Sequence, residues 1–469
     1  MKNSITLAFR WAAAAFLIFS SSSARLKASD TSNPNADEFF LHDGDRVCFY
    51  GDSITEQRFY GADIQAYVRT RFPKLKVGFI NSGVGGDRVT GGWAGPVDER
   101  LARDVFPYKP TVVTIMLGMN DARYRPFDQD IFSTYTNGYE HIIESLQAHL
   151  PGVRIVLIQP SAYDDITIAP NFPGGYNGVL KIYSAFVKDL AAHHGLTCAD
   201  ANSPLVDVVQ QVMNQNPTLA QGILPGRVHP SAAGEMVMAQ AILQAWNAPS
   251  LVSSVSLDGS SATVLSTKQA QIGRLETSDD GLSWDETDEA LPCPIVSLHN
   301  DWPQFPPYEA TRTATMSFPW STPKMDWNYT NTVMQATLAA SHFYSSLDNE
   351  NLQVTGLKHH SYRLLINGQE TGVFSDKELD HGINLAEFHT PMLEQSYSLF
   401  DHVWQQIQWR YFAWREIQLK LSKDHDPAVQ TAADDLVKAL ENEEARLAEE
   451  QYVVAKPRTM HYSLAPVQP

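Results

Sequence analysis

The stretch Gly51-Asp52-Ser53-Ile54-Thr55-Glu56 directly follows the apolar run Arg46–Tyr50 and precedes a helical stretch. A serine at a strand-to-helix turn exposes its hydroxyl at the carboxyl end of a sheet, next to a helix N-terminus that favours negative charge. Ser53 is thus a candidate nucleophile, although a serine there can also simply cap the helix. Asn81-Ser-Gly-Val-Gly-Gly-Asp87 follows a second apolar run, and its glycines allow a backbone N–H to approach a developing oxyanion. Gly118-Met-Asn-Asp121 follows a third, where Asn120 can aim a side-chain amide at the same place. Gly226-Arg-Val-His-Pro230 comes last, with His229 held by a proline ahead of an apolar helix expected over Met236–Trp246. Each signal alone fits an ordinary turn or a structural histidine; in combination they describe acyl transfer by an activated serine.

The elements that must bring these residues together are short and apolar nearly throughout: Arg46–Tyr50, Val77–Asn81, Thr111–Leu117, Arg154–Ile158 and Leu196–Asp200. Segments long enough for a crossover helix separate them. The pattern predicts an α/β fold, a three-layer α/β/α sandwich whose parallel sheet is covered on both faces. Ligands of such sheets bind at the carboxyl ends of the strands, where all the motifs above fall.

This α/β part spans residues 40–248. Residues 251–390 are rich in Ser, Thr, Gly and Pro, with short β-like runs, and read as a β-rich accessory module. Within it, Asn367-Gly368 marks a two-residue hairpin turn. Residues 391–455 read as a helical C-terminal segment: Phe400, Val403, Ile407, Tyr411 and Trp414 recur at the spacing of one buried helix face, and Ala432–Glu450 looks helical with an acidic outer surface. Trp404 and Trp409 lie off that stripe, free to pack on the β-module or to await a partner.

The chain has 469 residues, 43% hydrophobic and 19% charged, a globular balance that calls for more than one structural unit. A net charge of -18 argues against a nucleic-acid partner, which demands basic surface. Lys2 and Arg10 precede the apolar run Trp11–Phe19, and small residues follow, so residues 1–28 read as a signal peptide. That run is too short to span a bilayer, and no later segment approaches that length, so a secreted or periplasmic protein without an integral membrane segment is expected. An uncleaved anchor is the alternative. Cys48, Cys198 and Cys293 are odd in number and far apart, which disfavours a disulfide framework.

With Ser, Gly, Asn and His in this order and these contexts, residues 43–247 resemble the GDSL/SGNH hydrolases. The resemblance implies a compact α/β fold with Ser53 as nucleophile, His229 as base, and an oxyanion hole formed by Ser53, Gly86 and Asn120. The motif wording resembles an exported bacterial branch with C-terminal extensions. One position departs: the family places an aspartate three residues before the histidine, and here that position is Gly226. Losing such a carboxylate can cost about 10⁴ in turnover. Three readings follow: another group orients His229 and a working dyad remains, the enzyme is slow, or the chain is a catalytically impaired binding protein. The expected activity is that of a secreted serine ester hydrolase acting on a small-molecule or glycan ester, first of all a carbohydrate O-acetyl esterase. A lysophospholipase or short-chain lipase is the other enzyme reading. Neither cofactor nor metal is called for, since His193-His194 and His359-His360 lack ligand spacing.

Overall fold

The computed structural model describes residues 38–278, 281–296, 332–421 and 425–467. The expected signal peptide over residues 1–28 lies outside them. A parallel sheet forms the first layer system, with strand order Gly78–Gly83, Arg46–Gly51, Val112–Met116, Arg154–Ile158 and Thr197–Ala199. Every residue of Val112–Met116 is buried, so both faces of the sheet are covered. The first strand is flanked by the second on one side, Val47 opposite Phe79, and by the third on the other, Val47 opposite Val112. The chain therefore reverses its winding direction at the carboxyl end of Arg46–Gly51, the place where α/β sheets open a crevice for ligands.

Several strand and helix bounds differ from the sequence expectation: the first strand extends to Gly51, and the third and fifth are trimmed to Val112–Met116 and Thr197–Ala199. The second strand starts at Gly78 rather than Val77 and runs on through Gly83, because pairing with the first strand (Asn81 opposite Phe49, Gly83 opposite Gly51) overrides the low strand propensity of Asn-Ser-Gly. The helix after His229 begins at Ala232, one turn before Met236, and ends at Ala245.

The later part of the chain builds a β-sandwich. One sheet has the strand order Ala270–Ser278, Gly281–Asp288, Met460–Pro466, Ser361–Ile366 and Gln369–Ser375; the other runs Ile383–Asn384, Asn349–Thr355, Leu251–Asp258 and Thr263–Lys268. Val255, Leu257, Leu352 and Val354 of one sheet meet Trp284, Tyr362, Leu364 and Tyr462 of the other in a shared core. Asn367 and Gly368 have φ of +52° and +80°, the paired left-handed conformation of the expected hairpin turn. The sandwich takes its central strand, Met460–Pro466, from beyond the segment read as helical, and residues 332–341 and 343–347 within the β-rich stretch are helices packed into the α/β core.

The C-terminal helices Pro391–Tyr411 and Pro427–Val454 pair with each other, joined through a π-helical turn at Phe412–Gln418. Pro391–Tyr411 packs on the first long helix of the α/β part, Phe59–Arg71. Trp404 is buried there, its ring stacked on Phe59 at 5.7 Å, so it faces the α/β part and neither the β-module nor a free surface. Trp409 packs between the two C-terminal helices, beside Val437 and Leu440.

Candidate active site

The Arg46–Gly51 strand ends at Gly51, and a short helix, Ser53–Gln57, starts two residues later. Its cap is Asp52, whose Oδ1 accepts the Ile54 N–H at 3.0 Å. Ser53 is thereby released from capping, and its hydroxyl instead lies 2.8 Å from Nε2 of His229. Gln57 donates to the Pro230 carbonyl at 3.2 Å, tying the serine helix to the histidine loop.

That loop is held by the segment after the Arg154–Ile158 strand. Asp164 N–H donates to the Arg227 carbonyl at 2.9 Å, and the Arg227 guanidinium reaches the Ala169 carbonyl at 2.7 Å and Asp165 at 3.3 Å. The Ser231 N–H and hydroxyl both donate to the Ile223 carbonyl. Asp164 and Asp165 are otherwise consumed locally, by the amides of Ile166 and Thr167 and by that of Asn177. Gly226 and Arg227 both adopt positive φ, +67° and +74°. A Cβ on Gly226 would meet no atom within 4 Å.

On the opposite side of Ser53, Gly83 brings the second strand against the serine helix so closely that a Cβ would lie 2.3 Å from the Glu56 nitrogen. Beyond it, Gly86 turns the chain at φ +77°. The backbone N–H groups of Ser53 and Gly86 have no acceptor among the described residues. Asn120 follows the third strand; its amide nitrogen donates to the Asp87 carbonyl at 3.2 Å and to Asp52 Oδ2 at 3.3 Å, both long contacts. The Tyr124 hydroxyl donates to Asn120 Oδ1 at 3.0 Å, which fixes the amide's orientation. Tyr124 in turn stacks on Tyr176 at 4.8 Å, and Tyr163 meets Tyr176 edge-on at 5.0 Å. The residues Asn171–Tyr176 thus reach the site through Tyr176.

The electrostatics suit a developing negative charge. Burial pushes Asp52 up to about 8 and Asp121 up to about 7, so these carboxyls resist ionising beside the oxyanion position. Asp87 is paired instead with the buried Arg100 at 2.8 Å. Burial lowers the His229 imidazole below its ordinary range, with Glu56 opposing, so the ring stays a neutral base near neutrality.

From the sequence, no active-site role is assigned to Glu56, Trp93, Arg227, Tyr411 or Arg415, and Tyr411 is placed only on a buried helix face. Glu56 lies inside the first motif and Trp93 in Gly91-Gly-Trp-Ala-Gly95, so each had a local signal. Arg415 had none, being 359 residues from its partner.

A serine hydroxyl on an imidazole, two backbone amides without acceptors and a side-chain amide at the mouth of a parallel sheet are groups that could together carry out acyl transfer. The sequence model of the GDSL-like lipase/acylhydrolase family matches residues 49–237, so this part of the chain is similar to hydrolases that act on ester bonds. A curated relative, an acetylxylan esterase of Geobacillus stearothermophilus, is 28% identical over 221 residues, 43% of this chain and 93% of the relative. The solved structure of BT4096, a gut microbial diltiazem-metabolizing enzyme, is 24% identical with a TM-score of 0.69, covering 91% of this chain and 98% of that one. The likeness to BT4096 extends the shared fold beyond the residues matched by the family model.

Proposed function

We propose that this protein is an exported carbohydrate O-acetyl esterase working through a Ser53–His229 dyad. His229 Nε2 takes the proton of Ser53 as the serine oxygen attacks the ester carbonyl. The Ser53 and Gly86 amides and the Asn120 side chain hold the tetrahedral oxyanion. His229 returns the proton to the leaving alcohol; water then attacks the acyl-serine, gives its proton to His229, and the acid departs as Ser53 is reprotonated. The observation that carries this reading is the 2.8 Å contact between Ser53 and His229, beside backbone amides left without acceptors.

The carbohydrate substrate rests on the acetylxylan esterase relative and on the exposed aromatic rings of Trp93 and Tyr124 near the serine, flat surfaces that suit a sugar ring. Export rests on residues 1–28, and no helix of the described residues is long and apolar enough to cross a membrane. Purified protein and its Ser53→Ala variant should be compared on acetylated xylo-oligosaccharides, p-nitrophenyl acetate and long-chain acyl esters. The reading expects acetyl release that vanishes in the variant, with acetylated sugars preferred. Preference for long-chain esters overturns the carbohydrate assignment, and hydrolysis undiminished in Ser53→Ala overturns the mechanism.

A further inference from the structure

Gly85, next to the candidate oxyanion residue Gly86, lies against Ser53: a Cβ on it would be 3.8 Å from the Ser53 Cβ. Both of its polar backbone groups are held by side chains. Its N–H donates to Glu56 Oε2 at 2.6 Å, and its carbonyl accepts the Trp93 indole N–H at 2.8 Å. Glu56 and Trp93 share a neighbour that belongs to the far end of the chain. Arg415, in the π-helical turn of the C-terminal segment, donates from Nε to Glu56 Oε1 at 2.9 Å and lies over the Trp93 ring at 4.3 Å. The Tyr411 hydroxyl, one turn earlier, donates to the same Glu56 oxygen at 3.1 Å. The Glu56 side chain is 1% exposed and that of Arg415 19%, so this ion pair is screened little by water.

We propose that Arg415 is a positioning residue of the active site: one guanidinium secures both side chains that grip Gly85, and so sets where the Gly86 amide points. The C-terminal helical segment then completes the oxyanion site, a role separate from any part in substrate binding. Physical logic favours this over mere adhesion. Without Arg415, Glu56 would be a buried carboxylate facing His229 that keeps Arg58 as a neighbouring cation but loses one of the groups fixing its grip on Gly85. The Trp93 ring, 55% exposed, would lose the guanidinium over its face. Displacements well under a bond length at an oxyanion donor are felt in turnover, because the donor must meet the oxygen at hydrogen-bond distance in the transition state. The inference rests on the ester hydrolase reading of Ser53 and Gly86.

The test uses the full chain and p-nitrophenyl acetate, an ester too small to need a sugar subsite. Arg415→Met, Arg415→Lys, Trp93→Phe and Ser53→Ala are compared with the parent for kcat, KM and melting temperature. Trp93→Phe keeps an aromatic ring beside Arg415 while removing the N–H to Gly85 along with one ring of the indole, at an exposed position where folding is not at stake. The expectation is a kcat loss of about tenfold to a hundredfold in Arg415→Met at nearly unchanged KM. Arg415→Lys should be intermediate, added methylguanidinium should restore part of the Arg415→Met loss, and Trp93→Phe should show a smaller loss in kcat alone. Folded Arg415→Met with kcat within about twofold of the parent overturns the proposal. Should Arg415→Met fail to fold, Trp93→Phe decides, and an unchanged kcat there overturns it equally. Activity persisting in Ser53→Ala would instead sink the hydrolase reading beneath it.

Discussion

Asp52 sits where its charge would matter most, with Oδ2 3.3 Å from the Asn120 amide that would face the oxyanion. Burial, reinforced by Asp121 and Asp87, pushes this carboxyl up to about 8. Below that value it is a neutral acid. Above it, a carboxylate competes with the oxyanion for the Asn120 amide and repels it through a buried, low-dielectric space. His229 sets the other limit: burial lowers its pKa, so the neutral base survives to more acidic pH than a free imidazole. The profile of kcat/KM should therefore rise with a midpoint below the ordinary imidazole range, level off near neutrality and fall through about 8. If the ionised Asp52 form is inactive, one unit above that midpoint leaves about a tenth of the activity. Asp52→Asn fixes the neutral state and retains a good helix cap, since asparagine caps about as well as aspartate. Measured on p-nitrophenyl acetate between about pH 5 and about pH 10, the variant should keep the acid limb and lose the alkaline one. An alkaline limb that persists at the same midpoint in Asp52→Asn would refute the assignment. The linkage signs also differ. Folded Asp52 retains a proton that the unfolded chain releases, so its contribution to stability declines as pH rises towards about 8. Folded His229 resists protonation, so its contribution is lost as pH falls through the unfolded imidazole value.

Other outcomes follow from the same geometry. Asn120→Ala should lower kcat by about 10² to 10³, the usual loss of an oxyanion donor, with KM little changed; a kcat within about threefold would remove Asn120 from the oxyanion hole. Gly226→Asp, which restores the family's acid, should not accelerate turnover, because a Cβ there enters open space and the backbone is left-handed; a rise of about tenfold or more in kcat would show that a missing carboxylate limits His229. Trp404→Ala should destabilise the chain by about 3–5 kcal/mol in denaturant unfolding, as the ring is buried against Phe59 of the hydrolase part. A cost under about 1 kcal/mol would mean that the C-terminal helices are only loosely docked.

Much of the α/β part was legible because strands buried on both faces are apolar throughout. Arg154–Ile158 was bounded as observed, and the hairpin turn at Asn367-Gly368 was set by local backbone chemistry. Where pairing governs rather than composition, legibility failed. The second strand runs on through Asn-Ser-Gly because the first strand lies beside it. Met460–Pro466 alternates buried and exposed residues in its first half, a visible strand signal, but its partners Gly281–Asp288 and Ser361–Ile366 lie far upstream. At the site, Ser53, Gly86, Asn120 and His229 each sit in a motif that local physics shapes. The hold on Gly85 depends on an ion pair between Glu56 and Arg415, and such a pair leaves no periodicity or spacing in the chain. The same is true of Tyr124, whose hydrogen bond to Asn120 depends on consecutive left-handed residues, Arg123 and Tyr124.

The account turns on Ser53 being the atom that carries the acyl group, and covalent trapping addresses that directly. Protein treated with a p-nitrophenyl alkylphosphonate should gain one phosphonyl mass, released p-nitrophenol should match it in amount, and peptide mapping should place the adduct on Ser53. His229→Ala should slow the labelling sharply, given the 2.8 Å contact that activates the hydroxyl. Ester hydrolysis that continues while Ser53 stays unmodified, or an adduct that maps to another residue, would contradict it.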